Sequence, residues 1–207
     1  MDVNKNEFNT ENTIEGRVEV TSNELERYNV KYNDLFFTRT SETANEIGLT
    51  SAYVGKNIDC VFSGFLLRAR PIKKDIDSRF FSYYFRSYEN RKKIMKHSSI
   101  TTRALVSGKN LKKIKINIPC IEEQNKIANF LGLIDEKIRL LEKTYSLYSS
   151  IKKFALDNIL YKKIRFNGFE DEWKEYKIKD LCDERSEKGF EELELLSVTL
   201  NDGVVKR

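Results

Sequence analysis

The 207 residues predict an α+β protein: a mixed α/β domain followed by one long coiled-coil helix. Three observations point there. Short apolar and β-branched runs, bounded by turn residues, occupy the first 70 positions. An aromatic and basic stretch at 78–97 changes to helical spacing. An apolar seam with alternating steps of four and three residues then runs from Ile127 to Ile159 without a proline.

Each element has its own signal. Asp34 to Thr40 (DLFFTRT) reads as a strand, as does Thr50 to Gly55. Asp59 to Arg70 (DCVFSGFLLRAR) reads as a third, stopped by Pro71, with Gly64 marking a bulge or a close backbone approach. In Ser78 to His97, Phe80, Phe81, Tyr84 and Phe85 recur at helical spacing, with Ser78 as the expected N-cap. Four such aromatics could stack bases, but that spacing favours a core face. Lys109 to Ile118 reads as a short segment in which Ile114, Ile116 and Ile118 alternate, ended by Pro119.

The long helix is expected over 121–162. Its seam is Ile127, Leu131, Ile134, Ile138, Leu141, Tyr145, Tyr148, Lys152, Ala155 and Ile159, flawed only at the lysine. Glu122 and Glu123 sit where the helix dipole favours negative charge. At ~1.5 Å per residue the rod is roughly 63 Å long, and so narrow a seam calls for a partner helix, from this chain or another. Beyond it lies an aromatic and glycine segment, Phe166 to Trp173, and then an expected strand from Glu192 to Leu200 with a turn at Asn201-Asp202-Gly203. A strand left at that turn would be unpaired.

The net charge of +5 conceals an asymmetry. Residues 61–116 hold fifteen basic and three acidic residues, a net of +12, between flanks of −5 and −2. A solvated basic face is one explanation. Interleaved with aromatics, the stretch fits nucleic acid better, since neutralised phosphates release counterions. The polar N-terminus suggests no signal peptide, and no apolar run is long enough to span a membrane. Three scattered cysteines argue against a disulfide framework and for a reducing cytoplasm.

Catalytic signatures are weak. The single histidine, His97, excludes a His-rich metal site, and its place beside Lys96 allows phosphate or base contact as readily as a plain surface role. Asp75 and Asp77 give only a faint nuclease-like hint, without a partner Glu-x-Lys. Pro119-Cys120 echoes a methyltransferase nucleophile but has no glycine-rich loop to go with it. Neither a Walker loop nor G-x-S-x-G is present. Binding is expected, not catalysis.

The order of motifs resembles a known family. Ser107-Gly108-Lys109-Asn110-Leu111, leading through Ile114, Ile116, Ile118 and Pro119 into Glu122-Glu123-Gln124-x-x-Ile127-Ala128, joined by the helix to Phe166-x-Gly168-Phe169-x-x-x-Trp173, is similar to the specificity subunit of type I restriction–modification enzymes. Asp34 to Thr43, with Glu46-Ile47-Gly48 and Ser63-Gly64-Phe65-Leu66, resembles its target recognition domains. The resemblance implies a target recognition domain plus one long spacer helix. Such subunits read split double-stranded DNA sites. Their helices pair antiparallel and dock methyltransferase subunits, with a restriction subunit joining indirectly. S-adenosylmethionine, ATP and Mg would belong to those partners, and this chain would carry no cofactor, metal or catalytic residue.

The expected divisions are 1–119, a recognition domain without its usual start; 120–163, the spacer helix; and 164–207, the start of a recognition domain. The chain is then either a fragment or a half-subunit whose last segment completes 1–119 and whose helices pair in a homodimer. A coiled-coil scaffold and a stand-alone nuclease are the competing classes. Expected DNA contacts are Thr38, Arg39, Thr40, Ser41, Lys96, His97, Thr101, Thr102, Arg103 and Lys109. Arg39 and Arg103 suit guanine bidentately, though either could equally touch phosphate. Ile127, Leu131, Ile134, Ile138, Leu141, Tyr145 and Tyr148 are the expected helix-pairing residues.

Overall fold

The computed structural model describes residues 3, 6–56, 59–100, 103–184, 194, 196–200 and 203–206. They fall into two compact units, Met1–Tyr148 and Ser149–Arg207. In chain order the first unit holds β1 (Phe8–Asn9), α1 (Ser22–Tyr28), β2 (Leu35–Thr38), β3 (Thr40–Ser41), β4 (Thr50–Tyr53), β5 (Leu66–Ala69), α2 (Ser78–Arg86), α3 (Tyr88–Lys96), β6 (Ser99–Ile100), β7 (Ala104–Leu105) and α4 (Gly108–Leu111). The long helix α5 (Ile121–Leu160) follows, and then α6 (Ile178–Leu181), β8 (Leu196–Thr199) and β9 (Gly203–Lys206). The mixture of helices and sheets with one long helix is the α+β class read from the sequence.

The main sheet has the order β1-β4-β2-β5. β1 runs parallel to β4, and β2 pairs antiparallel with β4 and β5. One face buries Leu35, Phe37 and Ala52 against Phe80 and Phe81 of α2, Ile94 of α3 and Ala128 of α5. The other buries Phe36 and Tyr53 with Val3 and Val30. All four residues of β2 are therefore buried. A strand covered on both faces loses polar alternation, which is why its sequence reads as a continuous apolar run.

Gly48 shows how tightly the turn before β4 meets α3. Its φ is +64°, and a Cβ there would lie 2.4 Å from Ile94 Cγ2. Ile94 is itself fully buried. Gly48→Ala is expected to cost about 1–3 kcal/mol, from left-handed backbone strain and overpacking together. A lowered urea midpoint with unchanged slope would show it.

Several local expectations are corrected. The helix expected over 78–97 is two helices, because Ser87 turns extended (ψ 148°). Its hydroxyl and the Asn90 amide both donate to the Tyr84 carbonyl that the break releases, at 2.7 and 3.0 Å. The N-cap of α2 is Asp77, whose side chain accepts from the Arg79 N–H, and Ser78 is already helical. The short segment read over Lys109 to Ile118 holds no strand of either sheet. Its first residues form α4, and Ile114 and Ile116 pack on the core from irregular backbone. Their alternation reflects one-sided burial without a sheet partner. The α1 helix was missed, although Thr21 and Glu24 form a capping box that stands in the sequence as T-x-x-E.

In the second unit the strand at 196–199 is not left unpaired. β8 and β9 form an antiparallel hairpin, with Val198 opposite Val204. Glu192, Asn201 and Asp202, named for that strand and turn, lie outside the described residues. No helix among the described residues is long and apolar enough to cross a membrane.

Candidate nucleic-acid interface

Two segments far apart in sequence meet in a small sheet of order β3-β7-β6. Leu105 lies opposite Thr40 on one side and Ser99 on the other; Ala104 lies opposite Ser41 and Ile100. Arg39 enters this sheet from β2. Its N–H donates to the Phe65 carbonyl at 2.8 Å, and its carbonyl accepts from the Val106 N–H at 3.0 Å. The backbone is thus clamped while the side chain is exposed. Arg103 is also exposed, with a loose 3.9 Å ion pair to Glu42. An exposed pair of this kind is worth little and leaves the guanidinium available.

The pleat decides which expected contacts face outward. Thr40, Leu105 and Ser99 form one row, and each is at least partly exposed. In the next row Ser41 and Ala104 are buried. The Ser41 hydroxyl donates to Glu46 at 2.7 Å and so braces the turn beneath. Thr38 is buried in β2. Thr38 and Ser41 are therefore packing residues: Thr38 ends a strand buried at every position, and Ser41 shares its inward row with Ala104. Lys96 and Lys109 are exposed. His97 is half-buried, with Nδ1 2.8 Å from the Lys93 carbonyl at the end of α3. Thr101 and Thr102 lie outside the described residues. The exposed apolar side chains Phe65, Ile100 and Leu105 were not anticipated. Their sequence signal was slight, since each sits beside buried neighbours in a short run.

The basic stretch is divided by residue type. Five arginines are held by groups of their own fold. Arg68 donates to the Asn29 carbonyl, and Arg70 holds Asp34 at 2.7 Å. Arg79 holds Asp77 at 2.7 Å and reaches Asn129 at 2.9 Å. Arg86 bonds the Thr50 and Val3 carbonyls at 2.6 and 2.7 Å. Arg91 bonds those of Asn45 and Ile47 at 2.9 and 2.7 Å. Burial lowers the pKa of Arg68, Arg86 and Arg91 from the ordinary arginine value, yet a guanidinium stays charged at any physiological pH. Outward stand Lys73, Lys74, Lys92, Lys93, Lys96, Lys109, Lys112, Lys113, Lys115 and Arg103. A planar fork suits several fixed carbonyls, whereas an ammonium keeps its hydration by pointing to water. The +12 stretch is therefore not wholly a surface feature.

The helix α5 starts from a buried anchor. Gln124 Nε2 donates to the carbonyls of Asp75 at 3.2 Å and Pro119 at 3.0 Å, and Oε1 accepts from the Asp77 N–H at 3.1 Å. One turn on, Ala128 enters the core and Ile127 packs against it. This corrects the assignment of Ile127 to helix pairing: it faces the core of its own domain, and Leu131 is half-buried. From Ile134 the seam is uncovered, with Ile134 42%, Ile138 49%, Leu141 56%, Tyr145 76% and Tyr148 68% exposed.

The Tyr83 hydroxyl donates to Asp135 across α2 and α5. Burial, and then this bond to a carboxylate, raise the Tyr83 pKa above the usual tyrosine value. The folded chain thus holds this proton more tightly than the unfolded chain does. Its contribution is level below about pH 10 and declines as pH rises further. Urea midpoints compared between wild type and Tyr83→Phe should converge above about pH 10. Among the described residues, no group of three or more His, Cys, Asp or Glu is placed to hold a metal ion.

The type I restriction modification DNA specificity domain matches residues 3–147, and the chain belongs to that family. It is also similar to a Methanocaldococcus jannaschii protein named as the type I restriction enzyme MjaX specificity subunit, at 26% identity over 148 residues. That match covers 70% of this chain and 34% of the relative, so the chain spans about a third of that relative's length.

Proposed function

We propose that the chain is a non-catalytic, sequence-reading subunit of a type I restriction–modification complex in the cytoplasm. Residues 1–119 form its target recognition domain, 120–163 the spacer, and 164–207 a domain start. Partner methyltransferase subunits carry out adenine methylation with S-adenosylmethionine, and a restriction subunit with ATP and Mg acts through them. The observation that carries this reading is the β3-β7-β6 sheet, where Arg39, Thr40 and Arg103 meet on a family-typed DNA specificity domain. Lys96 and Lys109 add phosphate contacts, which position without specifying.

The uncovered seam from Ile134 to Tyr148 supports a second element of the proposal: two copies pair their α5 helices antiparallel and so present two recognition domains to a split site. Ordinary soluble helices cover such a stripe.

The test is Arg103→Ala in the complex with methyltransferase subunits. If Arg103 reads a base, discrimination at one base pair falls by about 1–3 kcal/mol with the salt slope nearly kept. Equal weakening on every sequence, with a shallower salt slope, would reassign it to phosphate.

A further inference from the structure

The outward row of the β3-β7-β6 sheet runs Thr40, Leu105, Ser99 across three strands. Neighbouring strands lie about 4.8 Å apart, so the row spans roughly 10 Å. Its ends carry hydroxyls, and its middle carries a leucine that is 42% exposed. Ile100 is exposed as well, but it belongs to the row of Ser41 and Ala104, which are buried. Leu105 is thus the apolar side chain of the outward row.

Single exposed leucines are common on protein surfaces. The surroundings set this one apart. It stands on the central strand of its sheet, not at a rim. Arg39 precedes Thr40, and Arg103 precedes Ala104, and both are exposed. Lys96, shortly before Ser99, is exposed too. The face therefore sets an apolar group among hydroxyls and cations. Such cations favour a polyanion over an apolar protein patch as the occupant.

The major groove of DNA offers the same mixture. Base edges there present donors and acceptors that Arg, Ser and Thr recognise, together with one apolar group, the C5 methyl of thymine. The groove is about 12 Å wide, enough to admit the row. We propose that Leu105 selects thymine by contact with that methyl, between hydroxyl contacts from Thr40 and Ser99. The inference rests on the proposed reading of this sheet as the DNA-contacting face, and adds the base chemistry that the face selects. A guanidinium pairs best with guanine, whereas leucine has neither donor nor acceptor. Packing the methyl on leucine removes apolar surface of both from water, and cytosine, with a hydrogen at C5, forgoes that gain.

The test removes one methyl group from the DNA and nothing from the protein. The chain assembled with type I methyltransferase subunits is titrated with duplexes of its selected motif, each thymine in turn replaced by deoxyuridine. Wild type should lose about fourfold in affinity at one position, the worth of one buried methyl. Leu105→Ala should bind the thymine duplex more weakly, lose nothing further with uracil at that position, and keep its salt slope. Ile100→Ala should keep the full response to uracil. Indifference of wild type to uracil at every position would overturn the inference, while the selected motif would leave DNA reading by the chain standing. A uracil response that survives Leu105→Ala would belong to another contact and overturn it equally. Weakened assembly of the Leu105→Ala complex, with the uracil response unchanged, would place a partner protein on the leucine instead. Failure to select any motif would overturn the proposed function and this inference with it.

Discussion

Replacing Arg86 by Met should lower folding stability by about 3–5 kcal/mol while leaving DNA affinity per folded molecule nearly unchanged. Arg86 lies in the basic stretch but is not among the DNA contacts expected from the sequence. In the structure its guanidinium serves four partners: the Thr50 carbonyl at 2.6 Å, Val3 at 2.7 Å, Asn6 at 3.0 Å and the Glu7 carboxylate at 3.1 Å. These contacts tie the chain's first residues to β4 and α2. Methionine fills the stem's volume but removes these donors, leaving the Thr50 carbonyl with the Ser82 hydroxyl at 3.2 Å. Arg86→Lys should recover only part of the loss, because one ammonium cannot reach carbonyls spread across the fork of a guanidinium. A denaturant titration measures the stability, and a binding titration corrected for folded fraction measures the affinity. An outward lysine such as Lys113 should behave oppositely, with stability changed by less than about 0.5 kcal/mol and the salt slope reduced by about one.

The second large effect is expected at Gln124. Gln124→Ala should cost about 2–4 kcal/mol. The side chain is 1% exposed and makes three bonds, to Asp75, Pro119 and Asp77. Its loss removes the partner of two carbonyls and of the buried Asp77 N–H and opens a cavity at the root of α5. Leucine should do no better, since it fills the space but supplies neither donor nor acceptor. Gln124→Glu should do no better, because an ionised carboxylate there would be buried against two carbonyl oxygens and could escape that only by taking up a proton. Hydrogen exchange should then show faster opening in the first turns of α5, where the helix is docked, than in its far half.

The long helix was legible because its seam repeats over many turns and no proline breaks it. The end of that seam used by the domain itself was not legible. Ile127 has the same spacing as Ile138, and only the packing of α2 against Ala128 separates a core residue from a surface one. The strands at 35–38 and 50–53 could be read from apolar runs, but not their facing. Because β2 is covered on both sides, its sequence shows no alternation from which to project the outward row of β3. That is why Thr38 and Ser41 were grouped with Arg39 and Thr40. The charge asymmetry was plain in the sequence, whereas its division into arginines held by the fold and outward lysines depends on which carbonyls the fold places nearby. The helix break at Ser87 is local, yet its cause is a pair of side-chain bonds to one carbonyl that a hydrophobic pattern does not record.

The most direct test of the central claim is selection from a randomised duplex library by the chain assembled with type I methyltransferase subunits. Wild type should enrich one defined DNA motif, and Arg39→Ala and Arg103→Ala should each lose preference at specific positions of it. Enrichment of the same motif by wild type and both variants, with equal affinity at every salt concentration, would contradict the assignment of the β3-β7-β6 face as the surface that reads DNA.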